Sequence, residues 1–289
     1  MKAEPNSAKT ETLTAAVVVP VYRETLAADE ELSRRHLEHY LGAYDKFLVA
    51  PERLSFTLPG YGVVKFADAF FHSPVTYSAL LVSEEFYRAF HAYDYILVYQ
   101  LDALVFSDRL REWCATGLDY VGAPWLPGEA GTGFVSEPAV GNGGFSLRRV
   151  RSFLEVLSAE GAAGERDKYW EAMYAAAPAA EKLRRLPRKI LRRLGLSGAR
   201  GRAIVGGEAG RAGVGADDPG GRLNEDCFWS FRARSYRPDF RIASPEVALR
   251  FAFEVNPARC YELAGRRLPF GCHAWRKYDP AFWEPYLLK

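Results

Sequence analysis

The chain lacks the features that stabilise a secreted protein or carry a chain across a membrane. Its 289 residues include only four cysteines, which lie far apart and form no CxxC pair. The first fourteen residues, MKAEPNSAKTETLT, contain no apolar run like that of a signal peptide. No stretch approaches the roughly eighteen uninterrupted apolar residues of a membrane-spanning helix. We therefore predict a cytoplasmic protein without a membrane span.

An excess of charge of one sign is also absent, since 38 basic residues face 36 acidic ones and the net charge is +2. No global field favours nucleic acid as the partner, and any basic patch has to be local. Apolar residues, in contrast, make up 48% of the chain, enough to bury the core of one large α/β domain. Aromatic residues reach 14%, and their flat rings suit the C–H faces of sugars as well as a protein core.

Apolar runs alternate with stretches of helical periodicity. The run from Ala15 to Val19, stopped by Pro20, is typical of a central parallel strand, and a helical pattern over 26–44 leads to a second strand, KFLVAPE. Further strands are predicted at YILVYQLDALVF and DYVGAPW, and GNGGFSLRRVRSFLEVL predicts a turn, a short strand and a helix. The pattern predicts an α/β fold with a mostly parallel central sheet, flanked by helices as in Rossmann-like nucleotide-binding domains.

Composition divides the chain into three parts. We predict a disordered tail over 1–14 and one domain over 15–289, interrupted by an Ala/Gly/Arg-rich insertion at about 161–222. Within the insertion, residues 182–202 carry nine basic side chains, and leucines recur there at near-helical spacing. This pattern fits a solvated helix packed by its leucines, and it equally fits a peripheral contact with an anionic membrane surface.

A carboxylate within the apolar stretch YILVYQLDALVF is the first candidate for chemistry. Removing the charge of Asp102 from water costs several kcal/mol or more unless a partner meets it. Ligands of open parallel sheets bind at the carboxyl ends of the strands, where Asp102 is expected. Asp102 there could hold Mg²⁺ or Mn²⁺ together with phosphate oxygens, or it could cap the turn before Ser107.

Three other motifs each have a functional and a structural interpretation. The glycines around Asn142 in VGNGGFSL fit a ligand-binding loop or a plain hairpin turn. Glu225 and Asp226 in NEDCFW fit a helix start favoured by the helix dipole, or a general base at Asp226. His273 in PFGCHAW fits a structural histidine, or a metal ligand that shares the ion with Asp102.

Taken in order, VVVPVYRE, YQLDALVF, DYVGAPW, GNGGFSLRR, NEDCFW and PFGCHAW resemble a bacterial family of glycosyltransferase-like proteins with the GT-A fold. The resemblance covers about residues 15–160 and 222–279. It implies a nucleotide-sugar donor, with a UDP-sugar favoured, a glycan or lipid-linked acceptor, a Mn²⁺ or Mg²⁺ cofactor and a role in surface polysaccharide or lipopolysaccharide synthesis.

The resemblance also implies a role for individual residues. The set comprises nucleotide contacts by Pro20, Tyr22, Arg23 and Gln100; sugar contacts by Trp125, Asn142, Gly143 and Gly144; metal ligands Asp102 and His273; and Asp226 as the catalytic base with Glu225 beside it.

One position departs from the family pattern, because Gln100 stands where the first Asp of the Asp-x-Asp metal motif is expected. Gln100 is a neutral ligand at best, so that the nucleotide diphosphate would have to supply most of the charge around a metal. This departure leaves open a non-catalytic module that binds a nucleotide or glycan. A metal-dependent phosphatase or nucleotidyltransferase could also use Asp102. With Asp226 as base, attack on the anomeric carbon would invert its configuration.

Overall fold

The computed structural model of the protein describes residues 13–129, 135–164, 167–168, 171 and 224–288. Most of the predicted tail over 1–14, most of the insertion over 161–222 and all of the basic pattern over 182–202 lie outside the described residues. The four cysteines are free and buried. Within the described ranges, no helix combines the length and apolar character needed to cross a membrane.

The strands form one large and two small sheets. In chain order they are β1 (Ala15–Pro20), β2 (Asp45–Pro51), β3 (Tyr61–Phe66), β4 (Tyr95–Tyr99), β5 (Leu104–Val105), β6 (Tyr120–Val121), β7 (Ala123–Trp125), β8 (Ala139–Gly141), β9 (Phe145–Arg149), β10 (Ala252–Phe253) and β11 (Gly271–Cys272).

Helices connect these strands. The longer connections contain α1 (Ala28–Leu41), α2 (Pro74–Leu81), α3 (Glu84–Arg88), α4 (Leu110–Ala115) and α5 (Val150–Ser158), with a 3₁₀ turn at Asp68–Phe71. After the insertion, the described chain forms a helical run made of Glu225–Cys227, a π-helical segment Phe228–Arg232 and Ala233–Tyr236. The helices Pro245–Phe251, Pro257–Leu263 and Pro280–Trp283 and a 3₁₀ turn Glu284–Tyr286 follow.

The large sheet has the strand order β3-β2-β1-β4-β9-β6. Strands β3, β2, β1 and β4 run parallel, whereas β9 is antiparallel to both β4 and β6. All residues of β4 are buried, as expected for a central strand covered on both faces. The predicted α/β class, with a mostly parallel sheet flanked by helices, is confirmed.

The two faces of the sheet carry separate hydrophobic clusters. On one face, Val17 and Val19 of β1 pack with Leu37 of α1, whereas Val18, between them, belongs to the cluster on the other face that contains Trp229. Successive side chains of a strand point to opposite faces of the sheet, so the buried residues of β1 contact the two clusters alternately. The core therefore continues on both sides of the central strands.

The stretch predicted as one strand over YILVYQLDALVF is interrupted. Strand β4 ends at Tyr99, the chain turns with the N–H of Ala103 donating to the carbonyl oxygen of Gln100 at 2.9 Å, and β5 then enters a small sheet of order β10-β11-β5. Asp102 lies in this turn with 49% of its side chain exposed. The charge is therefore not buried in a strand, because the chain leaves the large sheet just before it.

A buried histidine links α1 to the last residues of the described chain. The Nδ1 of His36 lies 3.1 Å from the carbonyl oxygen of Val105, and its Nε2 lies 3.0 Å from the backbone nitrogen of Leu288. Nε2 must be unprotonated to accept from that N–H, so the neutral tautomer with the proton on Nδ1 fits both contacts. Burial lowers the pKa of His36, and the hydrogen bond to Val105 opposes this effect only in part.

This arrangement predicts a loss of stability in mild acid. The folded pKa of His36 is below the unfolded value of about 6.5, so its stabilising contribution is complete above that value and is lost as the pH falls below it. We expect the melting temperature of the wild type to exceed that of His36→Gln at pH 7.5, and the difference to shrink towards pH 5. His39→Gln is the control, because His39 is exposed and the substitution should not change the melting temperature in a pH-dependent way. A difference that does not change with pH would contradict the neutral assignment.

Candidate active site

The candidate site lies at the carboxyl end of the large sheet, where β1 has parallel neighbours on both sides. The chain passes from β1 to β2 and β3 on one side and returns to β4 on the other, which makes the gap between β1 and β4 a topological switch point. Open α/β sheets bind ligands at such points, outside the carboxyl ends of the strands. Pro20 ends β1 and Gln100 directly follows β4, so two predicted nucleotide contacts flank this gap.

Tyr22 and Arg23 extend beyond β1 into the loop. Tyr22 is 56% exposed, and the Arg23 guanidinium carbon lies 5.4 Å from the centre of its ring. Arg23 also pairs with Glu30 of α1, its Nη2 lying 2.5 Å from Oε1. An exposed ring beside a guanidinium offers a flat apolar surface and a positive charge at the edge of the switch point.

The small sheet brings His273 to Asp102. Strand β11 pairs antiparallel with β5, with Cys272 opposite Leu104, and the N–H of Trp275 donates to the carbonyl oxygen of Asp102 at 3.1 Å. This register leaves the Nε2 of His273 3.2 Å from the Oδ1 of Asp102 and 3.2 Å from the Oε1 of Gln100. Two residues predicted as metal ligands, 171 positions apart, therefore meet at one point, together with the amide of Gln100.

His273 also contacts a second carboxylate, on its other ring nitrogen. Nδ1 lies 2.9 Å from the Oε1 of Glu254, which follows β10. Burial alone would lower the pKa of His273, but the charges and hydrogen bonds of Asp102 and Glu254 outweigh it and raise the pKa to about 10. For Asp102 the signs are opposite: burial alone would raise its pKa, but the nearby imidazolium outweighs burial and the net shift is downward.

The donor atoms at this point fit a hard divalent cation. Within the described residues no group of three or more His, Cys, Asp and Glu side chains could hold a metal. The available atoms are instead one carboxylate oxygen of Asp102, one imidazole nitrogen of His273 and one amide oxygen of Gln100. Mg²⁺ commonly uses one or two protein carboxylates and completes its octahedron with water and phosphate oxygens, and imidazole suits transition metals. A cation here would replace the proton on Nε2, so its binding would release a proton.

The glycine loop is in direct contact with these side chains. A Cβ atom on Gly144 would overlap the imidazole of His273 at Nε2, and one on Gly143 would overlap the carboxylate of Glu225. The loop is held by Asn142, whose Oδ1 accepts from the N–H groups of Gly144 at 2.7 Å and Phe145 at 3.0 Å. Because positions 143 and 144 carry no side chain, His273 and Glu225 can both pack against this loop.

This contact predicts the effect of one methyl group. Gly144→Ala should push the His273 ring away from Asp102 and weaken binding of Mn²⁺, measured by isothermal titration calorimetry. Gly164→Ala is the matched control, since a Cβ there meets nothing within 4 Å. Equal Mn²⁺ affinity in the two variants would contradict the placement of His273.

Trp125, predicted to contact a sugar, is buried. Only 3% of it is exposed, its ring packs 5.7 Å from that of Phe231, and a Cβ on Gly141 would overlap it. It supports the strand that leads into the glycine loop, because β7 and β8 pair through Trp125 and Ala139. The ring itself is not open to a ligand in this structure.

Glu225, the first residue of the acidic pair, belongs to a buried ion pair. Its Oε1 lies 2.9 Å from the Nη2 of Arg148, and both side chains are almost fully buried. Arg148 also donates to the hydroxyls of Tyr87 at 2.9 Å and Ser146 at 3.0 Å. Burial raises the pKa of Glu225 and the charge of Arg148 opposes the rise. Among the described residues, the Oε2 of Glu225 and the Nδ2 of Asn142 are buried without a hydrogen-bond partner.

Asp226, the second member of the pair, is partly exposed. Burial and the negative charges of Glu225 and Glu254 raise its pKa to about 7. A carboxylate with a pKa near the working pH is suited to accept a proton from a hydroxyl. Asp226 is therefore a partly exposed carboxylate with a raised pKa, whereas Glu225 is a buried ion-pair partner.

Three residues of the site escaped the sequence analysis. Glu254 follows a short apolar strand, as Asp102 follows β4, so the same signal could have found it. Tyr77 of α2 lies beside the side chain of Gln100, and Arg148 lies within the buried strand β9. A tyrosine in a helix carries no signal of its own, but an arginine inside an apolar strand indicates a buried carboxylate partner.

Residues 60–273 match a family model described as "Protein of unknown function (DUF5672)". The chain belongs to this family. No curated protein matches this member of the DUF5672 family.

Several solved structures are similar to this DUF5672 chain at low identity. The galactosyltransferase LgtC in complex with donor and acceptor sugar analogues is 11% identical, with a TM-score of 0.48, over 91% of this chain and 87% of that chain. A glycosyltransferase involved in glycosylation of the major capsid of PBCV-1 is 10% identical, with a TM-score of 0.39, over 90% and 92%. The core-mannan synthase A (CmsA/Ktr4) from Aspergillus fumigatus, in a Mn/GDP form, is 13% identical, with a TM-score of 0.36, over 58% and 67%. Similarities of this size transfer no function to this chain.

Proposed function

We propose that the protein is a GT-A-like glycosyltransferase that moves a sugar from a nucleotide-sugar donor to a hydroxyl of a glycan or lipid-linked acceptor. The observation that carries the proposal is the convergence of three elements at one sheet edge. Asp102 and His273 meet within 3.2 Å, the loop at Gly144 touches His273, and the loop at Gly143 touches the acidic pair that contains Asp226.

Each element answers one need of glycosyl transfer. Displacing a nucleoside diphosphate builds negative charge on the leaving phosphate, and a Mn²⁺ or Mg²⁺ ion held by Asp102 and His273 would offset that charge. The acceptor hydroxyl must lose a proton, and Asp226, with its pKa of about 7, can take it. A base that activates the acceptor directly favours inversion at the anomeric carbon.

The remaining roles follow from position and unmet hydrogen bonds. The exposed ring of Tyr22 and the guanidinium of Arg23 suit the base and phosphates of the nucleotide, for which we favour a UDP-sugar. The buried Nδ2 of Asn142 and Oε2 of Glu225 provide one donor and one acceptor for a sugar hydroxyl or a bridging water. A role in bacterial surface polysaccharide or lipopolysaccharide synthesis, in the cytoplasm or at the inner membrane face, completes the proposal.

One observation favours a second candidate, a GT-A-like module that binds a nucleotide or glycan without turnover. Gln100 has no charge to give a metal, and its Oε1 lies 3.2 Å from the His273 nitrogen that a metal would need. In this alternative, Gln100, Asp102 and His273 form a hydrogen-bonded cluster that needs no cation. Donor binding without product formation would support the module.

A thermal-shift screen tests donor binding. The protein is melted with UDP, GDP, ADP and CMP and with the corresponding nucleotide sugars, each with Mn²⁺ and with EDTA. A ligand that binds only the folded state raises the melting temperature by mass action, and a hundredfold excess over Kd corresponds to about 2.7 kcal/mol. We expect one nucleotide class to stabilise the protein with Mn²⁺ and less with EDTA. No shift with any nucleotide would contradict the proposal.

A further inference from the structure

We propose that Glu254 is a positioning residue for the divalent cation: by holding Nδ1 of His273, it aims Nε2 at the point shared with Asp102 and Gln100. The inference rests on the proposed function, because it assigns Glu254 a role in the metal site of that enzyme.

The backbone brings the two residues together before any ligand binds. Strands β10 and β11 run parallel, with Phe253 opposite Cys272, and the N–H of His273 donates to the carbonyl oxygen of Phe253 at 3.0 Å. The next residue on each strand is Glu254 and His273, and their side chains meet at 2.9 Å. Both side chains are mostly buried, 17% and 14% exposed, so the contact is shielded from competing water.

The two ring nitrogens of His273 have different partners. Nδ1 faces Glu254, and Nε2 faces the Oδ1 of Asp102 and the Oε1 of Gln100. Glu254 therefore lies on the opposite side of the imidazole and does not join the ligand atoms around Nε2. A carboxylate that accepts from the distal N–H of a metal-ligating histidine fixes the ring orientation and raises its basicity, and loss of such a partner costs about 10–100-fold in metal affinity.

A different explanation would make Glu254 part of a salt cluster that only stabilises the fold. In that case Asp102, His273 and Glu254 form an ion triad, and changing Glu254 would alter the melting temperature but not the preference of the site for a cation. The two explanations differ in what an isosteric substitution does. Gln at 254 can still accept from Nδ1 through its amide oxygen, although it lacks the charge.

The test measures Mn²⁺ binding directly, by the electron paramagnetic resonance signal of free Mn²⁺, in the full-length protein with and without the nucleoside diphosphate that stabilises it. Wild type, Glu254→Gln and Glu254→Ala are compared, and Glu262→Ala is the matched control, because Glu262 is 60% exposed and pairs with Arg266 on the surface. Melting temperatures of the metal-free proteins are recorded in parallel. We expect Glu254→Ala to weaken Mn²⁺ binding about 10–100-fold, Glu254→Gln to recover part of the loss, and Glu262→Ala to match the wild type.

The outcomes separate this inference from the proposed function. If the wild type binds Mn²⁺ and both Glu254 variants bind it with the same affinity, the role of Glu254 is overturned. The metal site of the proposed enzyme is then left intact. A lower melting temperature in the Glu254 variants with unchanged Mn²⁺ affinity assigns Glu254 to the fold alone and also overturns the inference. Failure of the wild type to bind Mn²⁺ under either condition removes the metal from the proposed function, and the role of Glu254 with it.

Discussion

Replacing Asp226 by Asn should lower turnover by about two to four orders of magnitude while donor binding stays close to that of the wild type. This is the range expected for loss of a positioned general base. The amide keeps the shape of the side chain, including the oxygen that accepts from the N–H of Cys227 at 2.9 Å, but it cannot take a proton from the acceptor. Turnover is measured as nucleoside diphosphate release at saturating donor, and binding as the thermal shift.

The same residue predicts the pH dependence of the wild type. The base acts in its ionised form, and its pKa is raised to about 7, so the rate should rise with pH through this region and level off above it.

The exposed Asp239 provides the control for Asp226→Asn, since Asp239→Asn removes a carboxylate that is 76% exposed and leaves the site intact. Wild-type turnover in Asp226→Asn would show that Asp226 is not the catalytic base.

Glu225 should behave differently from Asp226. Glu225→Gln leaves the buried guanidinium of Arg148 without its counterion, and breaking a buried pair by removing one partner costs about 3–5 kcal/mol. We therefore expect a marked fall in melting temperature, detected by differential scanning calorimetry, rather than a selective loss of rate. A stable Glu225→Gln protein with strongly reduced turnover would instead make Glu225 the base.

Asp102→Asn should abolish metal-dependent nucleotide binding without unfolding the protein. The side chain is 49% exposed in a turn, and Glu254 still faces His273 in the variant, so we expect the fold to tolerate the loss of the charge. The cation, in contrast, loses the carboxylate that lies 3.2 Å from the Nε2 of His273. The measurement is nucleotide affinity by calorimetry, with and without Mn²⁺. We expect the two values to coincide in the variant and to differ in the wild type.

Two comparisons sharpen this prediction. His273→Ala should weaken the same binding less than Asp102→Asn, because water or a phosphate oxygen can occupy the position of a neutral ligand. Glu112→Gln is the matched carboxylate control, since Glu112 is 62% exposed and pairs with Arg109. An undiminished Mn²⁺ effect in Asp102→Asn would exclude Asp102 from the metal site.

The sequence singled out Asp102 and His273 as candidates but could not predict their surroundings. A carboxylate within an apolar stretch marked Asp102, and the order of the motifs linked it with His273. The apolar pattern could not reveal that the chain leaves one sheet at Tyr99 and enters another at Leu104, because both pieces are buried and periodicity carries no information about the sheet. The turn between them explains how a charge follows a buried strand.

The contacts that join these residues to their partners could not be predicted from the sequence. Glu254 and His273 meet through the parallel register of two two-residue strands, which no local pattern encodes. The difference between the environments of Glu225 and Asp226 depends on Arg148, which is 77 positions from Glu225. Neighbours in sequence can therefore have opposite environments when a distant strand supplies the counterion to only one of them.

Incubating the protein with the nucleotide sugar that stabilises it, and resolving the products by chromatography, decides whether the site carries out glycosyl transfer. With Mn²⁺ present, we predict the nucleoside diphosphate together with the free sugar or a glycosylated acceptor, at a rate that falls with EDTA and falls about a hundredfold or more in Asp226→Asn. A donor that binds and stays intact would contradict the account in favour of a binding module. Release of inorganic phosphate or pyrophosphate would contradict it in favour of a metal-dependent phosphatase or nucleotidyltransferase.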